Sequence, residues 1–181
     1  DQPYQQSASE GYEADGLLYL KSGSKEQNIL AKQGDDLRID WGYFYMVAGK
    51  ENTAYSVGNS TELRKNFVNG TLNSASLEGE DSNGNMALVR SHGKVKNVTD
   101  KIMLGYDDIY SIQYFGTNLR PYWNSKGDRT IEAEMLAAYN EYDKLLARCY
   151  AFDKKLMEDA SAAGGKEYAE LCALAYRQSI A

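Results

Sequence analysis

The chain has 181 residues, 43% of them hydrophobic and 25% charged, with a formal net charge of −6. That is apolar material for one core of ordinary size, or for one core and part of another. No run of eighteen apolar residues is available to span a membrane, and no basic patch is present to displace counterions from nucleic acid, so neither partner is expected.

The chain divides by composition into residues 1–124, which read as strands and turns, and residues 125–181, a linker and helices. Short strands are predicted over Leu17–Leu20 and Asn28–Lys32. The segment Asp36–Ala48 (DLRIDWGYFYMVA) alternates with period two, placing Leu37, Ile39, Trp41, Tyr43, Tyr45 and Val47 on one face. Its second face begins with Asp36, Arg38 and Asp40 and turns apolar at Phe44 and Met46, the pattern of a strand running from an exposed edge into a covered region. NSTELRKNFVNG reads as a short helix capped by Asn59 or Ser60 and stopped at Gly70. Further strands are predicted over Met86–Ser91, Lys101–Tyr106 and Ile109–Phe115, with KQGDD and EDSNGN as turns. Tyrosine outnumbers phenylalanine 15 to 4, which suits amphipathic sheet faces or a surface that receives polar ligands. Short turns between antiparallel strands imply a sandwich.

After NSKGD the period changes to that of a helix. From Ile131 the apolar positions Met135, Tyr139, Tyr142, Leu145, Leu146, Cys149, Phe152 and Leu156 recur at helical spacing. Thr130 supplies an N-cap, Glu132 and Glu134 suit the positive end of the helix dipole, and Gly164–Gly165 supplies the stop. A second helix follows, apolar around most of its circumference through Tyr168, Leu171, Leu174, Tyr176 and Ile180. Because no closing signal precedes Ala181, the expectation is a piece of a longer protein whose remainder covers this helix. Cys149 and Cys172 read as buried free thiols or as a bridge between the two helices.

Catalytic patterns are sparse. His92, the single histidine, sits in the turn-like RSHGK, and two distant cysteines do not make a zinc site, so no metal or cofactor is expected. GEDSNG has a phosphate loop's glycine spacing, but Asn85 stands where the lysine belongs. The densest candidate is Gly105–Asn124 (GYDDIYSIQYFGTNLRPYWN). Adjacent Asp107 and Asp108 point to opposite faces of an extended strand and cannot act as a facing acid–base pair. One is expected to pair with Arg120 while the other caps a turn or faces a cleft. Pro121 is expected to hold Tyr122 and Trp123 in an extended exit from the sheet. A structural junction and a ligand-lining edge both remain open for this stretch.

That stretch, together with RCYAFDKKLMEDASAAGGKEYAELCALAYRQSIA and the upstream GDDLRIDWGYFYMVA, resembles the glutaminase A-type proteins of fungi and bacteria. The resemblance implies a secreted or periplasmic protein with an N-terminal β-sandwich region followed by an (α/α)-barrel of the six-hairpin glycosidase type. It implies hydrolysis of glutamine to glutamate and ammonia by the whole protein. Residues 1–124 would be the later part of the sandwich, and residues 125–181 the linker and helices leading into a barrel that is mostly missing. The fold expectation is therefore α+β, an antiparallel β-sandwich followed by two C-terminal helices. The implied partners are the remainder of the same polypeptide and a small-molecule substrate such as glutamine or a glycoside. The resemblance assigns no catalytic residue. Asp107, Asp108, Tyr122, Trp123, Arg177 and Gln178 are the candidates for the rim of a substrate cleft, with sandwich-to-barrel packing and helix contacts as the alternative for each. A second function stays open, an accessory carbohydrate-binding region of a glycoside hydrolase, because six-hairpin barrels commonly act on sugars and tyrosines stack on them.

Overall fold

The computed structural model describes residues 7–31, 40–72 and 85–179. The chain divides into two compact units, Asp1–Leu136 and Ala137–Ala181.

In the first unit, β1 (Ser7–Ala14) and β2 (Leu17–Ser24) form a hairpin closed by Asp15 and Gly16, both at positive φ. This is the two-residue turn whose twist matches its strands. β3 (Tyr43–Gly49) pairs with β2, and β6 (Met103–Asp107) pairs with β3, giving an antiparallel sheet of order β1-β2-β3-β6. β4 (Thr53–Val57) and β5 (Met86–Arg90) make a second, two-stranded sheet, and β7 (Ile112–Tyr114) and β8 (Thr117–Leu119) a third. Between β4 and β5 lies α1 (Ser60–Val68), with the Asn59 side chain accepting from the Thr61 N–H, and Gly70 at φ 69 just beyond its end. The architecture is the α+β arrangement expected, sandwich-like sheets followed by helix.

Register decides what each face of the four-stranded sheet carries. Leu18 and Leu20 lie opposite Ala48 and Met46, and this face meets the β4–β5 sheet through Tyr55 and Val57, with Met86 and Leu88 packed alongside. The Tyr55 ring occupies the place a Cβ on Gly11 would take, 1.9 Å from it, so a side chain at Gly11 would displace the ring. On the other face, Leu17, Tyr19, Tyr45 and Val47 are buried together with Met135. Gly105 leaves room for the Met135 sulfur. The Tyr12 and Tyr19 rings stack 5.1 Å apart. Tyr12 donates to Glu132 Oε1 at 2.7 Å and Tyr19 to the Glu132 carbonyl at 3.3 Å. These contacts place the helix's first turn in the sheet unit, which runs to Leu136.

Several expected elements differ in detail. Residues 28–31 form a turn, not a strand, with Leu30 at φ 53 and the Ala31 N–H bonded to the Asn28 carbonyl. Of the long strand, 36–39 lie outside the described residues, and regular pairing starts only at Tyr43 because Gly42 takes φ 87. KQGDD and residues 80–84 of EDSNGN also lie outside them. Tyr122–Asn124 is one turn of 3₁₀ helix, so Pro121 is extended but the chain after it is not.

α2 (Ile131–Ser179) is helical throughout except at Gly165, whose φ of 80 and ψ of −174 divide it into helices over 131–164 and 166–179, as the glycine pair predicts. The Thr130 hydroxyl accepts from the Ala133 N–H, confirming the cap. In the second unit these helices fold back on one another. Ala160 and Ala169 are buried near the turn, and the Phe152 and Tyr176 rings lie 5.0 Å apart farther along. In that antiparallel register Cys149 and Cys172 sit about seven residues out of step, or ~10 Å at ~1.5 Å per residue. Both are free thiols, Cys149 exposed and Cys172 half-buried, so the bridge is not formed and Cys149 is not buried. Leu171 and Leu174 are 61% and 53% exposed. Among the described residues no helix is long and apolar enough to cross a membrane.

Candidate functional site

The stretch that drew attention in the sequence folds as a loop pinned beneath one tryptophan. β6 ends at Asp107, whose Oδ1 accepts the Ile109 N–H at 3.0 Å, the local bond by which an aspartate tightens a turn. Ile109 takes φ 59, a conformation β-branched residues rarely adopt, held by its surroundings. The buried Trp41 indole donates from Nε1 to two carbonyls of this loop, those of Asp108 at 2.7 Å and Tyr110 at 3.0 Å. Tyr106 closes the link by donating its hydroxyl to the Trp41 carbonyl. Gly42 is required here: a Cβ would meet the Asp107 carbonyl at 2.5 Å and the Asp108 Cα at 2.9 Å. Burial raises the Tyr106 hydroxyl above the usual phenol range, with the Asp108, Asp40 and Asp107 charges adding to the effect. That hydroxyl therefore stays a neutral donor.

Beyond the loop, the Ser111 N–H donates to the Leu119 carbonyl and starts the β7–β8 hairpin. Phe115 and Gly116 form its tip, both at positive φ, with Phe115 90% exposed and its ring edge-on to Tyr114. Arg120 lies over the Tyr110 ring, 5.0 Å from guanidinium carbon to ring centre, and backs onto Gly127. The aspartate–arginine pair expected from the sequence is replaced by this cation–π contact.

The six candidate residues fall in both units. Asp107 is committed to the Ile109 turn. Asp108 is half-buried, its carbonyl held by Trp41, and its carboxylate has no hydrogen bond or ion pair among the described residues. Tyr122 is 97% exposed and Trp123 half-buried on the 3₁₀ turn. These four belong to the sheet unit, whereas Arg177 and Gln178 are exposed residues of the helical unit. With Asp107 engaged, the loop presents one carboxylate, one arginine stacked on a ring, and exposed aromatics. That chemistry suits contact with a polar ligand or a protein surface better than proton transfer, which needs a second titratable group facing the same atom.

Trp41 and Gly42, which hold the loop, were not singled out by sequence, although a glycine between aromatics in DWGYFY marks a close backbone approach. A second polar cluster was also missed. Arg90 binds Asp100 through Nε and Nη2 at 2.6 and 3.0 Å and donates from Nη1 to the Glu51 carbonyl and Thr53 Oγ1, while His92 Nε2 lies 3.1 Å from the same carboxylate. The Arg90 hydrogen bonds hold the Asp100 carboxyl below the ordinary carboxylate range. The cluster fastens the segment after β5 to the β3–β4 turn. Among the described residues no three His, Cys, Asp or Glu side chains converge as a metal site would require.

A family model described as a domain of unknown function, DUF5127, matches residues 1–159. The chain belongs to the DUF5127 family. The DUF5127 match takes in the sheet unit, with the Trp41-anchored loop, and continues along the long helix to residue 159, short of Gly165. No curated protein and no solved structure matches the chain.

Proposed function

We propose that this chain is the β-rich accessory portion, with its helical junction, of a secreted or periplasmic glutaminase-type amidohydrolase, and that it acts with the remainder of its own polypeptide rather than alone. The observation that carries this reading is the helical unit: Leu171 and Leu174 stay more than half exposed on a hairpin whose fully buried side chains, among the described residues, are the small Ala160 and Ala169. Water-facing leucines at helical spacing suit a surface that another part of a protein covers. The sheet unit supports an accessory role, since its densest cluster joins one unengaged carboxylate to structural hydrogen bonds. The glutamine substrate rests on the resemblance of GYDDIYSIQYFGTNLRPYWN and the helical segment to the glutaminase A-type proteins.

The test is ammonia release from glutamine by the full-length protein, run beside a panel of glycosides. Glutamine turnover that persists in the full protein and is absent from residues 1–181 supports the reading; glycoside cleavage without glutamine turnover rejects it. A second reading, an accessory carbohydrate-binding region, is favoured by the exposed Tyr114, Phe115 and Tyr122 rings, since flat aromatic faces stack on sugars. It requires saturable oligosaccharide binding that Phe115→Ala and Tyr122→Ala weaken.

A further inference from the structure

We propose that Asn59, Asn69 and Asn97 are attachment sites for N-linked glycans, added as the chain passes through a eukaryotic secretory compartment. The acceptor pattern for this modification is Asn-x-Ser/Thr with x other than proline. Asn59-Ser60-Thr61, Asn69-Gly70-Thr71 and Asn97-Val98-Thr99 fit it, and each ends in threonine. The chain has twelve asparagines and six threonines, and half of the threonines stand two residues after an asparagine. Random placement of twelve asparagines over 181 residues would leave fewer than one threonine in that position. The pattern is denser than composition alone produces.

The fold leaves room for all three. A glycan is bulky and hydrated, so its asparagine must lie at the surface. All three asparagines are exposed and belong to the sheet unit. Asn59 caps α1 with its Oδ1, which accepts the Thr61 N–H at 2.9 Å. The sugar is carried on the other amide atom, Nδ2, so the modification keeps the cap. Asn69 ends the same helix through its backbone, the N–H donating to the Lys65 carbonyl at 3.0 Å. Its side chain makes no hydrogen bond among the described residues. Asn97 lies in a stretch with neither strand nor helix, where residues 91–100 are all exposed and Val98, the middle residue of the acceptor, is 55% exposed. In each transfer Nδ2 bonds to the anomeric carbon of a polyprenyl-pyrophosphate-linked oligosaccharide and gives up one proton. The lipid pyrophosphate leaves with the electron pair of the broken C–O bond. The inference rests on the secreted part of the reading above and not on glutamine, so the ammonia assay and a glycan assay can fail independently.

The test is secretion of residues 1–181 from a yeast host behind a supplied signal peptide, followed by peptide-N-glycosidase treatment in heavy-oxygen water and peptide mass spectrometry. Asn59, Asn69 and Asn97 are each expected to be recovered as heavy-oxygen-labelled aspartate, and the secreted chain to drop to a single faster electrophoretic band. Thr61→Ala, Thr71→Ala and Thr99→Ala are each expected to remove one glycan, and the matching Thr→Ser variants to retain it. Thr61→Ala keeps the backbone N–H that Asn59 caps, so it separates loss of the glycan from loss of the helix cap. Peptide mapping of the unsubstituted chain decides each site even where a variant does not fold. An asparagine left unmodified in the secreted chain overturns its own assignment. A secreted chain whose mass the glycosidase leaves unchanged overturns the proposal as a whole.

Discussion

The sheet unit and the helical unit handle apolar surface in opposite ways. The central strands β2 and β3 are covered on both faces, by the β4–β5 sheet over Leu18 and Leu20 and by Met135 and the first helical turn over Tyr19 and Val47. Among the described residues the helical hairpin fully buries Ala160 and Ala169, while Leu145, Tyr150, Leu171 and Leu174 stay exposed. Local helix propensity can form a hairpin without giving it a core, whereas a sheet face must find its covering layer before it is stable.

Substitutions ranked by expected effect test this contrast. Leu20→Ala removes a wholly buried side chain at the interface of the two sheets and is expected to cost about 3 kcal/mol, read as a lower midpoint in urea unfolding of the sheet unit. Gly42→Ala comes next, at about 2 kcal/mol, since the new Cβ meets the Asp107 carbonyl and the backbone keeps a positive φ. Trp41 fluorescence should report the displaced loop. Tyr12→Phe deletes the hydrogen bond to the Glu132 carboxylate and is expected to cost about 1 kcal/mol.

The same tyrosines set an alkaline limit. Burial, reinforced by Glu132, holds the folded Tyr12 and Tyr45 hydroxyls above the ordinary tyrosine range. The unfolded chain ionises first, so their contribution is complete below about pH 10 and is lost as pH rises beyond it. Unfolding midpoints measured from pH 8 to 11 should fall more steeply for the natural chain than for Tyr12→Phe. The smallest effect belongs to the helical unit: Leu174→Ala, at a position 53% exposed, should shift stability by no more than about 0.5 kcal/mol. A larger loss there would show that the hairpin has a core of its own.

How legible the molecule was in its sequence depended on where the partners of each residue lie. Strands β2, β5 and β6 and helix α1 carry their own apolar pattern or cap and could be read directly. SASEGYEA in β1 has little apolar content; it becomes a strand because the Asp15–Gly16 turn presents it to β2, with Tyr12 opposite Tyr19. The Gly164–Gly165 break was legible because left-handed glycine is a local property. At the candidate site, β6 ends at Asp107 and Asp108 lies beyond it, so the turn at Ile109 rather than strand alternation sets their different surroundings. The Trp41 bonds to the loop span 67 and 69 residues of sequence and leave no periodic trace. Arg120 had carboxylates close in sequence, yet lies over the Tyr110 ring, a choice made by the hairpin's geometry.

Hydrogen exchange resolved by residue on residues 1–181 tests the contrast most directly. Slow exchange is expected in β2 and β3, approaching the rate of global unfolding, and exchange orders of magnitude faster across 166–179. Protection of 166–179 equal to that of Leu17–Leu20 would contradict the account, because the second helix would then be held by a core that its exposed leucines do not provide.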